Sequence, residues 1–214
     1  MFKTEMKKNL KKSGIVFFLF CFAFIAYGQD TIPPIKNGEY RKFTYADGAL
    51  SSEGYLVNGK PEGFWKNYFQ NGVLKSEGPR KNHLLEGEWK FYSTDEILQK
   101  VINYRAEKKH GLTKEYSPEG FLMSEYPFVN DTLHGIAYTY HDNGRVYQKI
   151  PYVKGKIHGE MKSYDNKGKI IGIVEYKNGI VYQRESINRK DTAGLKQGIW
   201  KDFYEDETVK SEGK

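Results

Sequence analysis

The chain has 214 residues, a formal net charge of +7 and one cysteine, but the first 28 residues distort all three figures. With Met1–Gly28 set aside, 186 residues of charge +3 and no cysteine remain. That excludes disulfide or thiol chemistry and a strongly basic protein, and with the latter most of the case for nucleic acid binding. Residues 1–28 read as a signal peptide: Lys3, Lys7, Lys8, Lys11 and Lys12, then the apolar run Ile15 to Ala26, then the small-residue site Ala26-Tyr27-Gly28. The 12-residue run is short of the roughly 20 residues that a permanent membrane helix needs. Bulky Phe20 before Cys21 is unsuited to a lipid anchor. Cleavage after Gly28 leaves no transmembrane span and an exported protein, periplasmic, on the outer surface or secreted.

After a short linker, residues 29–37, a repeat fills the chain. Its anchor is Gly-x-aromatic-x-x-aromatic, complete in Gly63-Phe64-Trp65-Lys66-Asn67-Tyr68 and Gly87-Glu88-Trp89-Lys90-Phe91-Tyr92. The frame continues at Gly111 with Tyr116, Gly135 with Tyr140 and Gly159 with Tyr164, 24 residues per step. Gly38 with Phe43 precedes Gly63 by 25, so residues 38–178 hold six units. A second glycine recurs at Gly48, Gly72, Gly120, Gly144 and Gly168, with Glu96 in its place in the third unit. Asp47-Gly48, Asn71-Gly72 and Asn143-Gly144 are hairpin-turn chemistry, because these residues tolerate positive φ. A second turn closes each unit, at Asn58-Gly59, Lys81-Asn82-His83, Glu107-Lys108-Lys109-His110 and Lys154-Gly155. Two turns per unit leave two strands of ordinary length.

Alternation favours strands. Apolar residues four apart, Leu98 and Ile102, Leu122 and Tyr126, Val146 and Ile150, Ile170 and Val174, read as one buried face with the other face in water. Tyr68, Tyr92, Tyr116, Tyr140 and Tyr164 are expected to form one aromatic row and Trp65 and Trp89 another. Such rows serve either as cross-strand packing, worth about 0.2–1 kcal/mol per pair, or as a candidate binding surface. Gly63, Gly72, Gly87, Gly111, Gly120, Gly135, Gly144, Gly159 and Gly168 are expected to be structural. Residues 179–197 read as an extra strand and a polar loop. Gly198-Ile199-Trp200 with Phe203 opens a seventh unit, residues 198–214, 39 residues after Gly159.

The pattern Gly63-x-Trp65-Lys66-x-Tyr68-x-x-Asn71-Gly72-x-Leu74-Lys75-Ser76-Glu77-Gly78, with Asn58-Gly59-Lys60-Pro61-Glu62 before it, resembles the MORN-variant repeat. The resemblance covers about Gly38 to Gly213. It implies an all-β fold, a repeat array of about seven β-hairpins in one elongated, twisted antiparallel sheet. Thr113, Ala137, Met161 and Glu96 depart from the pattern. The stretch from Asn188 to Trp200 looks like the opening of a fresh array in this family. Only one hairpin follows before Lys214, as in an array cut short or one whose last edge pairs with a partner. Secreted members are often labelled antitoxin components, and the family has no catalytic motif to carry over.

The residues offer no competing chemistry. His110, His134 and His158 recur 24 apart, but equivalent positions in a hairpin array lie roughly 9–10 Å apart, and zinc needs nitrogen at about 2.0–2.1 Å. They read as turn histidines. Glu205, Asp206 and Glu207, like Asp95 and Glu96, read as turn carboxylates that keep loops solvated. Asp165-Asn166-Lys167-Gly168 lacks the later bidentate glutamate of a calcium loop. No enzyme, cofactor or metal is expected. The reading is a protein-binding or scaffold module of the cell envelope. Its alternatives are a carbohydrate- or lipid-headgroup-binding module using the aromatic rows, and an antitoxin- or immunity-like protein.

Overall fold

A computed structural model describes residues 32–213, and the segment expected to be a signal peptide and the start of the expected linker lie outside them. Every element among the described residues is a strand. The main sheet runs in strict chain order through Glu39–Thr44, Leu50–Val57, Lys60–Tyr68, Leu74–Lys81, Gly87–Tyr92, Leu98–Arg105, Lys108–Tyr116, Leu122–Val129, Gly135–Tyr140, Val146–Val153, Gly159–Tyr164, Ile170–Lys177 and Ile180–Ser186. Leu84–Leu85, Thr132–Leu133 and Lys156–Ile157 add two-residue pairings beside it. All neighbours are antiparallel, so each strand meets the one made just before it.

Two turn types alternate. The wider one spans five residues: in Phe69 to Val73 the Phe69 N–H donates to Val73 O at 2.8 Å and the Gly72 N–H to Phe69 O at 2.9 Å. Gly72 has φ +86°, a conformation that a Cβ penalises. Asn71 Oδ1 accepts the Val73 N–H at 3.1 Å, which pre-forms the turn. The tighter turn has two central residues of positive φ, such as Asn82 (51°) and His83 (65°), the hairpin geometry that matches strand twist. In the next unit it falls at Ala106 (47°) and Glu107 (70°), two residues ahead of the position expected from composition. Neighbouring tight turns are tied together, for instance by the Asp131 N–H donating to Lys109 O at 2.9 Å.

After each wide turn the register slips by one residue. Tyr92 faces Leu98, whereas Phe91 faces Lys100. This bulge overturns the expectation that apolar residues four apart share a face, because one inserted residue inverts the alternation. Leu98 lies on the tyrosine side, and Ile102, opposite Trp89, lies on the other. The sheet is a single layer over most of its run, and its own long side chains shield each face. The large buried apolar residues Trp65, Trp89, Val101, Ile102 and Ile150 are spread along it.

The seventh hairpin, Trp200–Phe203 with Val209–Gly213, does not extend the main sheet. It forms a sheet of its own. Ile187 meets Ile199 in an isolated parallel bridge, and Ile187 packs with Tyr164 and Ile170 against Val146, Ile173, Ile199 and Phe203. Buried Asn188 holds the crossover: its Nδ2 donates to Ile170 O and Lys201 O at 2.8 and 2.9 Å, and its Oδ1 accepts the Lys201 N–H at 3.0 Å. Lys201 reaches Glu185 at 2.6 Å. The terminal hairpin therefore lies on a face of the last repeats, where expectation had placed it in line.

Candidate binding face

Two columns of side chains organise the tyrosine face. Tyr68, Tyr92 and Tyr140 each donate a hydrogen bond to the glutamate 15 residues earlier: Tyr68 to Glu53 at 2.5 Å, Tyr92 to Glu77 at 2.8 Å and Tyr140 to Glu125 at 2.7 Å. Tyr40 also donates to Glu53. Lysines stand opposite: Lys66 faces both Glu53 and Glu77, and Lys114 lies 3.3 Å from Glu125. Burial pushes the Glu53 carboxyl up, but hydrogen bonds from Tyr40 and Tyr68 and the Lys42 charge outweigh it and hold it below the ordinary range. Burial and the adjacent carboxylate push the Tyr40 hydroxyl up to about 12 and that of Tyr68 further still.

The pattern changes in two units. Val101 occupies the glutamate position of the Tyr116 unit and is 5% exposed. Lys149 occupies that of the Tyr164 unit, directly opposite Lys162. Glu207, in the wide turn of the terminal hairpin, fills the gap. Its Oε1 accepts from Lys149 Nζ at 2.5 Å and from the Tyr164 hydroxyl at 2.9 Å, and its Oε2 from Lys162 Nζ at 3.2 Å. Burial raises the Glu207 pKa, yet the hydrogen bonds from Lys149, Tyr164 and Lys162 leave it lowered overall. Expectation treated Glu207 as a solvated turn charge; the structure makes it a buttress, while Glu205 and Asp206 beside it are exposed.

The tryptophans occupy the opposite face. Trp65 and Trp89 are 5% and 2% exposed, and their indole N–H groups donate to Glu62 O and Pro79 O at 3.2 and 2.8 Å. Each ring lies over a glycine of the preceding strand. A Cβ on Gly54 or Gly78 would come within 2.5 Å of the ring of Trp65 or Trp89. Where the tryptophan is lost the glycine is lost too: Thr113 stands between Ile102 and Tyr126, and fully buried Ala137 opposite Ile150. The departures at Thr113 and Ala137 are thus size exchanges that preserve packing.

Of the residues expected to bind, the tyrosines share one face and the tryptophans the other. Tyr68, Tyr92, Tyr116 and Tyr140 are half-buried, and Tyr164 is buried under the terminal hairpin. Gly63, Gly72, Gly87, Gly111, Gly120, Gly135, Gly144, Gly159 and Gly168 all have positive φ. His110 and His158 contact Asn130 and Asn178 of the next unit's tight turn, and His134 donates its backbone N–H to Pro127 O. Sequence reading missed the glutamate column, although Glu53, Glu77 and Glu125 keep the repeat's 24-residue register. It also missed an apolar row on the tyrosine face. Leu112, Pro127, Ile136 and Pro151 stand on four neighbouring strands, with Leu112 40% and Ile136 48% exposed.

A serial, single-layer sheet of hairpins with no clustered metal ligands among the described residues defines a class, the β-hairpin repeat proteins. Five consecutive segments, residues 61–82, 85–106, 109–130, 133–154 and 157–178, match the MORN repeat variant and together span more than half of the chain. The chain belongs to that family, whose members are generally non-enzymatic modules binding proteins or membrane lipids. No curated protein matches it.

Proposed function

We propose that this is an exported, non-enzymatic repeat protein that holds another protein in the cell envelope through the tyrosine face of its sheet. The supporting observation is the apolar row from Leu112 to Pro151, with Leu112 and Ile136 exposed and Pro127 and Pro151 half-buried, bordered by the Lys–Glu–Tyr columns. An apolar strip with a polar rim is the anatomy of a protein interface. The glycan or lipid-headgroup alternative has less support, since Trp65 and Trp89 are buried and the hydroxyls of Tyr68, Tyr92 and Tyr140 already bond glutamates. The antitoxin-like alternative rests on the family label alone.

The test is capture of envelope proteins by the immobilised chain from residue 29 onward, compared with the double variant Leu112→Asp and Ile136→Asp. These side chains are exposed, so the variant retains its fold, checked by far-UV circular dichroism. A specific protein captured by the original chain and lost with the variant supports the reading. Equal capture, or saturable binding to a glycan or lipid array without a protein partner, contradicts it.

A further inference from the structure

We infer that Lys149, Lys162 and Tyr164 form a carboxylate-receiving docking site that Glu207 occupies in cis, and that the partner for this part of the face is an acidic turn of a β-hairpin. The inference builds on the protein-binding reading and gives it a chemistry.

Lys149 and Lys162 are register partners on adjacent strands, and like charges directly opposite are destabilising. Upstream, lysine alternates with glutamate from Lys42 to Lys90 and again at Lys114 and Glu125, with Val101 and Tyr138 as the uncharged exceptions, and nowhere there do two lysines stand opposite each other. Here the repeat discards its own acid, and the two ammonium groups and the Tyr164 hydroxyl all point at one carboxylate 58, 45 and 43 residues further on from Lys149, Lys162 and Tyr164. The occupant also carries a cost. Glu207 has φ +64°, at the turn position where Gly48, Gly72, Gly120, Gly144 and Gly168 stand in the repeats. A non-glycine residue there is strained, and the Lys–Lys–Tyr contacts offset the strain.

The hairpin that delivers Glu207 is built to be exchangeable. It shares no strand pairing with the main sheet, and an isolated two-stranded hairpin is marginal by itself. Its attachment includes the Glu207 cluster, the Lys201–Glu185 pair, Asn188, Lys169 over the Trp200 ring at 4.5 Å and the apolar contacts of Ile199 and Phe203. Residues 189–198, which lead into it, are exposed throughout. Once it lifts, the face beneath presents two lysines, a tyrosine hydroxyl and Ile173, which complement an acidic turn flanked by apolar residues. The terminal hairpin therefore acts as a latch that an acidic hairpin of a partner displaces.

Two full-chain variants separate latch from receptor. Glu207→Gln weakens the latch and leaves the receptor intact. Lys149→Glu restores the repeat's own Tyr–Glu–Lys arrangement, so it folds, and repels Glu207. The probe is a fluorescent synthetic peptide of residues 198–213 closed by an added terminal disulfide, read by anisotropy. We expect the Glu207→Gln chain to bind it at least tenfold more tightly than the original chain. We expect the Lys149→Glu chain not to bind it, and a Glu207→Gln version of the peptide to lose at least tenfold. A protease specific for lysine and arginine should cut at Arg189, Lys190 or Lys196 faster in both chain variants. Equal peptide binding by all three chains, or none by any while the protease shows the latch open, overturns the inference. Such a failure is distinguishable from failure of the general protein-binding reading, which the Leu112 and Ile136 substitutions test on a separate part of the face.

Discussion

Gly78 shows how a single residue type is dictated by a neighbour that sequence separates from it. Its missing Cβ is what lets the Trp89 ring lie flat against the backbone. Gly78→Ala is expected to destabilise the array by about 1–3 kcal/mol through overpacking, and Trp89→Ala by about 3–5 kcal/mol through a cavity, both read from urea midpoints. The double variant should cost less than the sum, because the alanine then enters the space the ring has left. Glu96 and Glu207 make a complementary pair of tests, since both occupy the left-handed turn position, with φ 63° and 64°. Glu96 is exposed and engages nothing that needs its carboxylate, so Glu96→Gly should stabilise by about 0.5–1 kcal/mol in the same assay. Glu207→Gly relieves equal strain and should nonetheless loosen the terminal hairpin. The repeat glycines and the tyrosine row were legible in the sequence because period and turn chemistry are local signals. The glycine–tryptophan exchange was not, because it appears only when adjacent strands are set in register.

At the scale of the element, the wide turn with its bulge decides which residues share a face. Spacing alone suggested that Leu98 and Ile102 point the same way; the inserted residue between them sends them to opposite sides. The terminal hairpin was legible as a hairpin and illegible as a latch. Its docking depends on a carboxylate 43 residues from Tyr164, and that distance carries no periodic signal. Its stability should depend on pH in a defined sense. The pKa of Glu207 is lowered in the folded protein from the ordinary 4.5, so its contribution is complete above that value and lost as pH falls through the lowered one. Burial and the bond to Glu53 raise the Tyr40 hydroxyl to about 12, so its contribution is complete below 10 and lost as pH rises towards 12. Acidification below pH 4 should therefore expose Trp200, seen as a red shift in its emission against a Trp65→Phe, Trp89→Phe background. In the Glu207→Gln variant the acid-induced shift should shrink to the part that protonation of Glu185, also held below its ordinary range by Lys201, contributes.

At the scale of the whole molecule, stability is distributed along the array. Each strand of the main sheet pairs only with its sequence neighbours, so the energy is close to a sum over units and their interfaces. The strands Glu39–Thr44 and Ile180–Ser186 leave two open edges, and Ile180 and Tyr182 are 73% and 63% exposed. The period made this serial architecture legible from Gly38 onward, whereas the arrest of the sheet at Ser186 came from Asn188 and Ile187 turning the chain onto its own face. The most direct test of the account is hydrogen exchange, resolved by segment, on the Lys149→Glu chain. Residues 39–186 are expected to keep their protection while residues 200–213 lose theirs, because the repeats are sound without the latch and the latch needs the lysine pair. Unchanged protection at 200–213, or loss of protection across the entire array, would contradict it.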